Sequence, residues 1–78
     1  MGDLAGLPLG NAGYVTDIAA TGGMKRRLMD LGFTEGARVE ALLCAPFGGM
    51  RAYRVRGTVI ALRRRDAGSV CLREARHG

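Results

Sequence analysis

Between Met24 and Gly36 the apolar residues recur at helical spacing, and the segment then closes with glycines. Met24, Leu28 and Leu31 fall at positions i, i+4 and i+7, so they share one face of a helix. Gly32 follows at the position where a helix commonly ends in a residue with positive φ, and Gly36 is expected to adopt the same conformation in the next turn. The pattern predicts a short helix followed by a tight turn.

The rest of the chain has the period of two that is typical of strands, with β-branched residues and turns rich in glycine. We expect strands at residues 14–20, 38–45, 50–56, 58–63 and 70–73. The polar bend at residues 64–69 is expected to hold a single helical turn. Short strands at this spacing, with one helix between the first and second strands, predict a mostly β fold in the form of a small closed barrel.

The same periodicities predict which side chains form the core. The residues expected to be buried together are Leu28, Leu31, Val39, Leu43, Val55, Ile60 and Leu62. Leu4, Leu7 and Leu9 are expected to cover one edge of that core, and Tyr53 is expected to face inward on its strand.

The chain has 78 residues, which is the size of one small domain, so we expect a single domain over residues 1–78 with a flexible tail at 74–78. Charged residues make up 24% and apolar residues 47%, a balance typical of globular proteins. The sequence has neither an apolar run long enough for a transmembrane helix nor a signal-peptide pattern. We therefore expect a cytoplasmic protein.

Positive charge dominates the chain, with a net charge of +5 and a pI of about 10.2. This balance suits an acidic protein, a nucleic acid or an anionic membrane surface. Lys25, Arg26 and Arg27 are expected in the first turn of the helix, where the macrodipole disfavours cations, and Asp30 in the last turn, where it disfavours anions. Two interpretations stay open: the cluster faces a partner, or it is a solvated basic surface.

The sequence contains none of the common catalytic motifs: no P-loop, no GxGxxG, no HExxH and no GxSxG. His77 is the sole histidine, and it lies in the expected tail, where no base for a Ser-His-Asp arrangement would be held in place. We expect a protein that is not an enzyme.

Metal binding has little support in the sequence. Cys44 and Cys71 are the only cysteines, they form no CxxC pair, and free thiols are expected in a reducing cytosol. Fe²⁺ prefers imidazole and carboxylate ligands, whereas thiolates favour Zn²⁺. No cofactor is expected to be required, and the weak candidate ligands for Fe²⁺ or Zn²⁺ are Cys44, Cys71, Glu74 and His77.

The order of several short segments resembles the FeoA family, the small cytosolic accessory proteins of bacterial ferrous iron uptake. The matching segments are Lys25–Phe33, Glu35–Gly36, Val39, Ala45–Gly48, Val55–Gly57, Ile60–Arg63 and Ala67. The resemblance covers nearly the whole chain, from Leu4 to Leu72. One turn departs from the family: it often reads Gly-Asp-Pro there, and the acid and the rigid ring are both missing from Gly48-Gly49-Met50.

The resemblance implies an SH3-like barrel with a non-enzymatic role beside FeoB, a membrane transporter whose cytosolic part is a GTPase domain. It also implies kinship with the C-terminal SH3-like domain of iron-dependent repressors. Our hypothesis is that basic and loop residues meet acidic side chains of FeoB, which would hold the protein at the membrane through its partner. The residues expected to bind this partner are Lys25, Arg26, Arg27, Phe47, Gly48, Met50, Arg63 and Arg64.

Two alternative functions stay open. A small basic barrel with twelve lysine and arginine residues could bind nucleic acid, but Tyr14, Phe33, Phe47 and Tyr53 are the whole set of aromatic side chains available for base stacking. The other alternative is a transition-metal-binding module related to the repressor domains. A steep loss of oligonucleotide binding with salt would identify the nucleic-acid function.

Overall fold

The computed structural model describes residues 2–45 and 49–74, which form a six-stranded antiparallel sheet with short helices at its margins. The elements in chain order are β1 (Gly2–Asp3), a 3₁₀ turn (Leu4–Gly6), β2 (Ala12–Ile18), α1 (Gly22–Asp30), β3 (Arg38–Cys44), β4 (Met50–Val55), β5 (Thr58–Arg63), α2 (Arg64–Ala67) and β6 (Val70–Glu74). The spatial order of the strands is β1-β6-β2-β3-β4-β5. In the described part of the chain, no helix is both long and apolar enough to cross a membrane.

The predicted strands are present as β2 to β6, and α1 lies between the first two of them, so the predicted mostly β class is confirmed. The bend after β5 is the single helical turn α2, as predicted. β2 begins and ends two residues earlier than expected, and the two-residue strand β1 was not predicted. Glu74 is the last residue of β6 and pairs with Gly13, so it does not begin a tail; residues 75–78 lie outside the described residues.

The sequence predicted a closed barrel, but in the part of the chain that the structure describes the backbone hydrogen bonds of the sheet do not close it. Within the described residues β1 pairs only with β6 and β5 pairs only with β4, so no backbone ladder joins the two ends of the sheet. The sheet therefore keeps two edges, a two-residue one at β1 and a six-residue one at β5.

The end of α1 is a Schellman motif, and its hydrogen bonds explain why glycine is needed there. The N–H of Phe33 donates to the Leu28 carbonyl at 3.1 Å, and the N–H of Gly32 donates to the Met29 carbonyl at 3.0 Å. Gly32 has φ 115° and Gly36 has φ 84°, so both predicted left-handed glycines are confirmed. Leu28 and Phe33, the two side chains this motif brings together, are both buried.

The core matches the predicted one except on β3. Leu28, Val39, Val55 and Leu62 are buried, and Leu31 and Ile60 are half-buried against them. The prediction for Leu43 is wrong, since its side chain is 55% exposed.

A β-bulge on β3 explains the exposure of Leu43. Ala41 pairs with Tyr53, but Leu43 pairs with Ala52, so Leu42 is an extra residue on β3. Because Ala52 faces outward on β4, Leu43 faces outward beside it. An inserted residue reverses the alternation, and the hydrophobic pattern alone does not reveal it.

The N-terminal leucines also differ in burial. Leu4 and Leu7 are buried, as expected, whereas Leu9 is 50% exposed and its predicted burial is wrong. The N–H of Asn11 donates to the Pro8 carbonyl at 3.0 Å, which closes a turn with Leu9 at its tip. A side chain at the tip of such a turn points to solvent.

Candidate functional site

The basic cluster of α1 lies further along the helix than expected. The helix begins at Gly22, so Lys25 and Arg26 lie in its middle and Arg27 in its last turn. The expected conflict between Arg27 and the helix dipole is therefore wrong, because a cation in the last turn is favourable. Asp30, the last helical residue, keeps its unfavourable position. The helix dipole therefore gives no reason to assign these cations to a partner. Whether they are available for binding depends on the residues around them.

A groove of about 450 Å³ lies between α1 and β5, and we call it the α1–β5 groove. Its lining combines apolar and charged side chains from both elements. The apolar residues are Met24, Leu28, Leu31, Met50, Ala61 and Leu62, and the charged residues are Arg27, Arg63, Arg65 and Asp66. Met24, Leu28 and Leu31 share this lining, so the predicted common helix face exists, although Met24 is 38% exposed.

The charged lining of the groove is strongly basic. Arg27, Arg63 and Arg65 are all exposed, and the one acidic residue, Asp66, lies 3.8 Å from the Nε of Arg65. Across residues 2–45 and 49–74, the side chains of Arg27 and Arg63 make no hydrogen bond or ion pair. These guanidinium groups, each with several donors in a fixed plane, remain available to carboxylates from outside the chain.

The walls of the groove are held together by the tight turn between β4 and β5. Arg56 and Gly57 have φ of 52° and 77°, the conformation of a two-residue type I′ hairpin. From this turn the Nη2 of Arg56 donates to the Thr34 hydroxyl at 2.7 Å, and its Nε lies 3.4 Å from the Gly32 carbonyl. The hairpin that carries β5 is thus attached to the segment that ends α1.

The structure brings only part of the predicted partner-binding set together. Arg27, Met50 and Arg63 line the α1–β5 groove. Lys25 instead lines a second cavity of about 230 Å³, beside Asp17, Met29 and Glu35 among others. The described lining of both cavities leaves out Arg26 and Arg64. Phe47 and Gly48 lie outside the described residues.

Sequence reasoning missed two parts of the groove, Ala61 and Arg65. Ala61 faces outward on β5, where a small side chain carries no hydrophobic signal. Arg65 directly follows Arg63 and Arg64 in the sequence, but its position beside Arg63 depends on the single turn α2. The periodicity of the sequence does not predict that Arg63 and Arg65 lie side by side.

Arg51 is a buried arginine that sequence reasoning also missed, and its side chain is 7% exposed. Its guanidinium donates to the carbonyls of Leu4 at 3.0 Å and of Leu7 at 2.7 Å, and also to that of Ala5. The inward orientation of Arg51 could have been predicted from the alternation of side chains along β4, since residues 51, 53 and 55 all face the core. Arg51 holds the N-terminal segment and stands apart from the groove.

Tyr53 supports the same segment. Its hydroxyl donates to the Leu4 carbonyl at 2.8 Å, and the guanidinium carbon of Arg51 lies 5.6 Å from its ring centroid. Burial raises the pKa of Tyr53 above the ordinary value of 10.0, while the neighbouring Arg51 charge acts in the opposite direction. The phenol therefore stays protonated and keeps donating at neutral pH.

The weak metal candidates do not assemble in the described residues. Cys44 is exposed on β3, Cys71 is half-buried on β6, and His77 lies outside the described residues. Cys71 pairs with Asp3 and Asp17, but both carboxylates already accept backbone N–H donors. No group of three histidine, cysteine, aspartate or glutamate residues that could hold a metal occurs in the described part of the chain.

Comparison with known proteins gives consistent matches. The model of the FeoA domain family matches residues 3–74. The solution structure of the FeoA protein from Chlorobium tepidum superposes with a TM-score of 0.88 at 32% identity, covering 97% of this chain and 72% of that one. The crystal structure of Stenotrophomonas maltophilia FeoA complexed with zinc, described as a prokaryotic SH3 domain protein, has a TM-score of 0.79 at 32% identity and covers 91% of this chain and 88% of that one.

A manganese-dependent transcriptional repressor also shares the fold, with a TM-score of 0.85 at 22% identity over 94% of this chain and 40% of that one. At this level of identity the likeness establishes the fold alone. A search of curated proteins finds no match. The six-stranded arrangement described above is thus an SH3-like barrel, shared with transport and repressor proteins.

Proposed function

This chain belongs to the FeoA family, which is associated with ferrous iron transport, and we propose that it is a non-enzymatic accessory protein of ferrous iron uptake. In this proposal it acts in the cytoplasm, at the inner face of the membrane. There it binds the cytosolic GTPase domain of the transporter FeoB and modulates that domain. The α1–β5 groove is the binding surface.

The observation that carries this proposal is the combination of apolar and basic side chains in one groove. Met24 and Ala61 are exposed and Leu31 is half-buried, so these side chains offer apolar surface that a partner side chain could cover, and apolar burial is the main source of binding free energy. Arg27 and Arg63 add charge beside that surface, without a competing partner among the described residues. Such a groove favours an acidic protein surface with exposed apolar side chains.

The residues that line the groove also favour binding over catalysis. The described lining contains neither a histidine nor a nucleophilic side chain, and its carboxylate, Asp66, lies beside Arg65. General acid–base and covalent mechanisms both need such groups in contact with substrate. A protein–protein contact needs only shape, apolar area and complementary charge.

The test compares two charge-matched double variants. Association with purified FeoB cytosolic domain is measured by stopped-flow in GTP-analogue, GDP and nucleotide-free states at several salt concentrations. Arg27→Gln with Arg63→Gln is expected to slow association about tenfold and to flatten its salt dependence, because rim charges act mainly on the on-rate. Lys25→Gln with Arg26→Gln removes the same charge outside the groove and is expected to keep the wild-type rate.

Equal rates for the two double variants would exclude the groove as the site, and no binding by the wild type in any nucleotide state would exclude the function. Chelation gives a second control. Because the proposed contact uses arginine and apolar side chains, association is expected to be the same with and without EDTA. A loss of binding in EDTA would show that a metal takes part.

A further inference from the structure

β5 has one free edge, and the register of its pairing with β4 shows which backbone groups lie along it. The type I′ turn is closed by the pair Val55 and Thr58, which makes this a hydrogen-bonded pair. Pairs then alternate, so Ile60 and Leu62 also bond to β4. The N–H groups of Val59, Ala61 and Arg63, and the carbonyls of the first two, point away from the sheet.

These outward groups have no partner strand within the described residues, and their side chains are exposed, with Val59 at 55%. The other edge of the sheet, β1, has two residues in the described part of the chain. Proteins usually blunt a free edge with proline, a bulge or an inward-pointing charge, but β5 is a regular six-residue strand without these devices. β5 is thus long enough to accept another strand.

The free edge opens into the α1–β5 groove. Ala61 and Arg63, whose backbone groups point outward, line the groove together with Leu62, which lies on the opposite, inner face of the strand. A space lined from both faces of one strand runs alongside the edge of that strand. The far wall of this space is formed by Met24, Leu28 and other residues of α1.

We propose that the partner enters this groove as an extended segment that adds a seventh strand to the sheet, beside β5. This inference rests on the proposed function and specifies its mode of recognition. Strand addition supplies main-chain hydrogen bonds for affinity, and alternate side chains supply specificity. The exposed groups of Val59, Ala61 and Arg63 are the donors and acceptors on this chain.

The groove also indicates the chemistry of the segment. Side chains of an added strand alternate between the two faces of the sheet. Those on the inner face would lie beside Leu62 and the apolar face of α1, and those on the outer face beside Arg63. The segment is therefore an extended peptide that alternates apolar residues with aspartate or glutamate.

A second copy of this chain is a poorer occupant. Each copy would bring a net charge of +5 to the interface, and antiparallel pairing of β5 about Ala61 would place Arg63 of each copy opposite Val59 of the other, one strand away from Arg54. Two such copies repel each other. Charge therefore favours an acidic partner over self-association.

The experiment uses the full chain and the purified FeoB cytosolic domain. Ala61→Pro removes the outward N–H of residue 61 but none of the bonds to β4, and proline is tolerated on edge strands in this position. Ala61→Val is the matched control, since it enlarges the side chain and keeps the N–H. We expect Ala61→Pro to weaken binding about tenfold or more relative to Ala61→Val, which shares the enlarged side chain but keeps the N–H.

Amide hydrogen exchange of the wild-type complex gives a readout that does not depend on how the proline variant folds. We expect the amides of Val59, Ala61 and Arg63 to become protected when the FeoB domain is added. If these amides stay unprotected in a complex that forms, or if Ala61→Pro folds and binds like the wild type, strand addition is wrong while the proposed function stands.

Two further outcomes also decide the matter. If the wild type does not bind the FeoB domain at all, the proposed function fails and this inference fails with it. If the same amides become protected without FeoB as the concentration of this chain rises, the edge pairs with a second copy, and the assignment to an acidic partner is overturned.

Discussion

Arg51 and Arg63 lie close together on the neighbouring strands β4 and β5, since Arg51 pairs with Leu62 and Arg63 with Met50. Arg51 is 7% exposed and donates to the carbonyls of the N-terminal segment. Arg63 is exposed and lines the α1–β5 groove. The two residues have the same chemistry, and the face of the sheet decides whether each stabilises the chain or is available to another molecule.

The contrast has an energetic basis. Taking a guanidinium out of water is costly unless its donors are paired, and Arg51 meets that condition with the carbonyls of Leu4, Ala5 and Leu7. An exposed guanidinium such as that of Arg63 keeps its hydration and adds little to folding stability. The first is committed to the fold, and the second can exchange water for a carboxylate.

Arg51 also compensates for the open ladder of the barrel. Within the described residues no backbone pairing joins β5 to β1, but Arg51 and Tyr53 on β4 bind the carbonyls that follow β1. A pair of inward side chains thus attaches the N-terminal segment to the far half of the sheet. This attachment leaves the edge of β5 free.

The largest expected effect comes from Arg51→Met, which keeps an unbranched apolar stem and removes the donors. Each buried acceptor left unpaired costs about 1–3 kcal/mol, so we expect the free energy of unfolding to fall by about 2–5 kcal/mol. Urea denaturation followed by circular dichroism measures this loss. Arg51→Lys should recover only part of it, because one ammonium group cannot span the same carbonyls. If Arg51→Met were as stable as the wild type, water molecules would be donating hydrogen bonds to these carbonyls as effectively as Arg51 does.

Tyr53→Phe is expected to have a smaller effect, a loss of about 0.5–1.5 kcal/mol, the usual contribution of one hydrogen bond. The loss is limited because the Leu4 carbonyl keeps its bond from Arg51. The same denaturation assay applies, and Tyr14→Phe, on a half-buried tyrosine of β2, is the matched control. A loss as large as that of Arg51→Met would assign the attachment to the phenol instead.

The pH dependence sharpens the role of Tyr53. Its pKa is raised in the folded state, so between 10.0 and that higher value the unfolded chain loses the phenolic proton before the folded chain does. The folded state then binds more protons, and stability falls as pH increases. The contribution is fully present below pH 10.0 and is lost above it. Melting temperatures at alkaline pH should decline less steeply in Tyr53→Phe than in the wild type; parallel declines would assign the effect to other groups.

The smallest effect on stability is expected for Arg63→Gln, alone or with Arg27→Gln. Substitutions at exposed positions usually change stability by less than about 0.5 kcal/mol. The melting temperature should therefore stay close to that of the wild type, even though association with the partner slows. If Arg63→Gln destabilised the chain as much as Arg51→Met, the division between the two arginines would be wrong.

Several features of this protein follow from the sequence because their causes are local. The period of the apolar residues and the glycines at 32 and 36 predicted α1 and the turn after it, since a helix end needs a residue that accepts positive φ. Alternation predicted the strands and most of the core. The order of short segments also indicated the family, because it spans nearly the whole chain.

Other features were decided only by the tertiary structure. The bulge that exposes Leu43 depends on how β3 meets β4, and the burial of Arg51 depends on carbonyls 44 or more residues away in the chain. The α1–β5 groove likewise combines side chains from elements that are distant in sequence. Local periodicity reports how a segment prefers to fold, but the register between segments is set by packing and long-range hydrogen bonds. That register, in this protein, places Arg51 in the core and leaves Arg63 exposed in the α1–β5 groove.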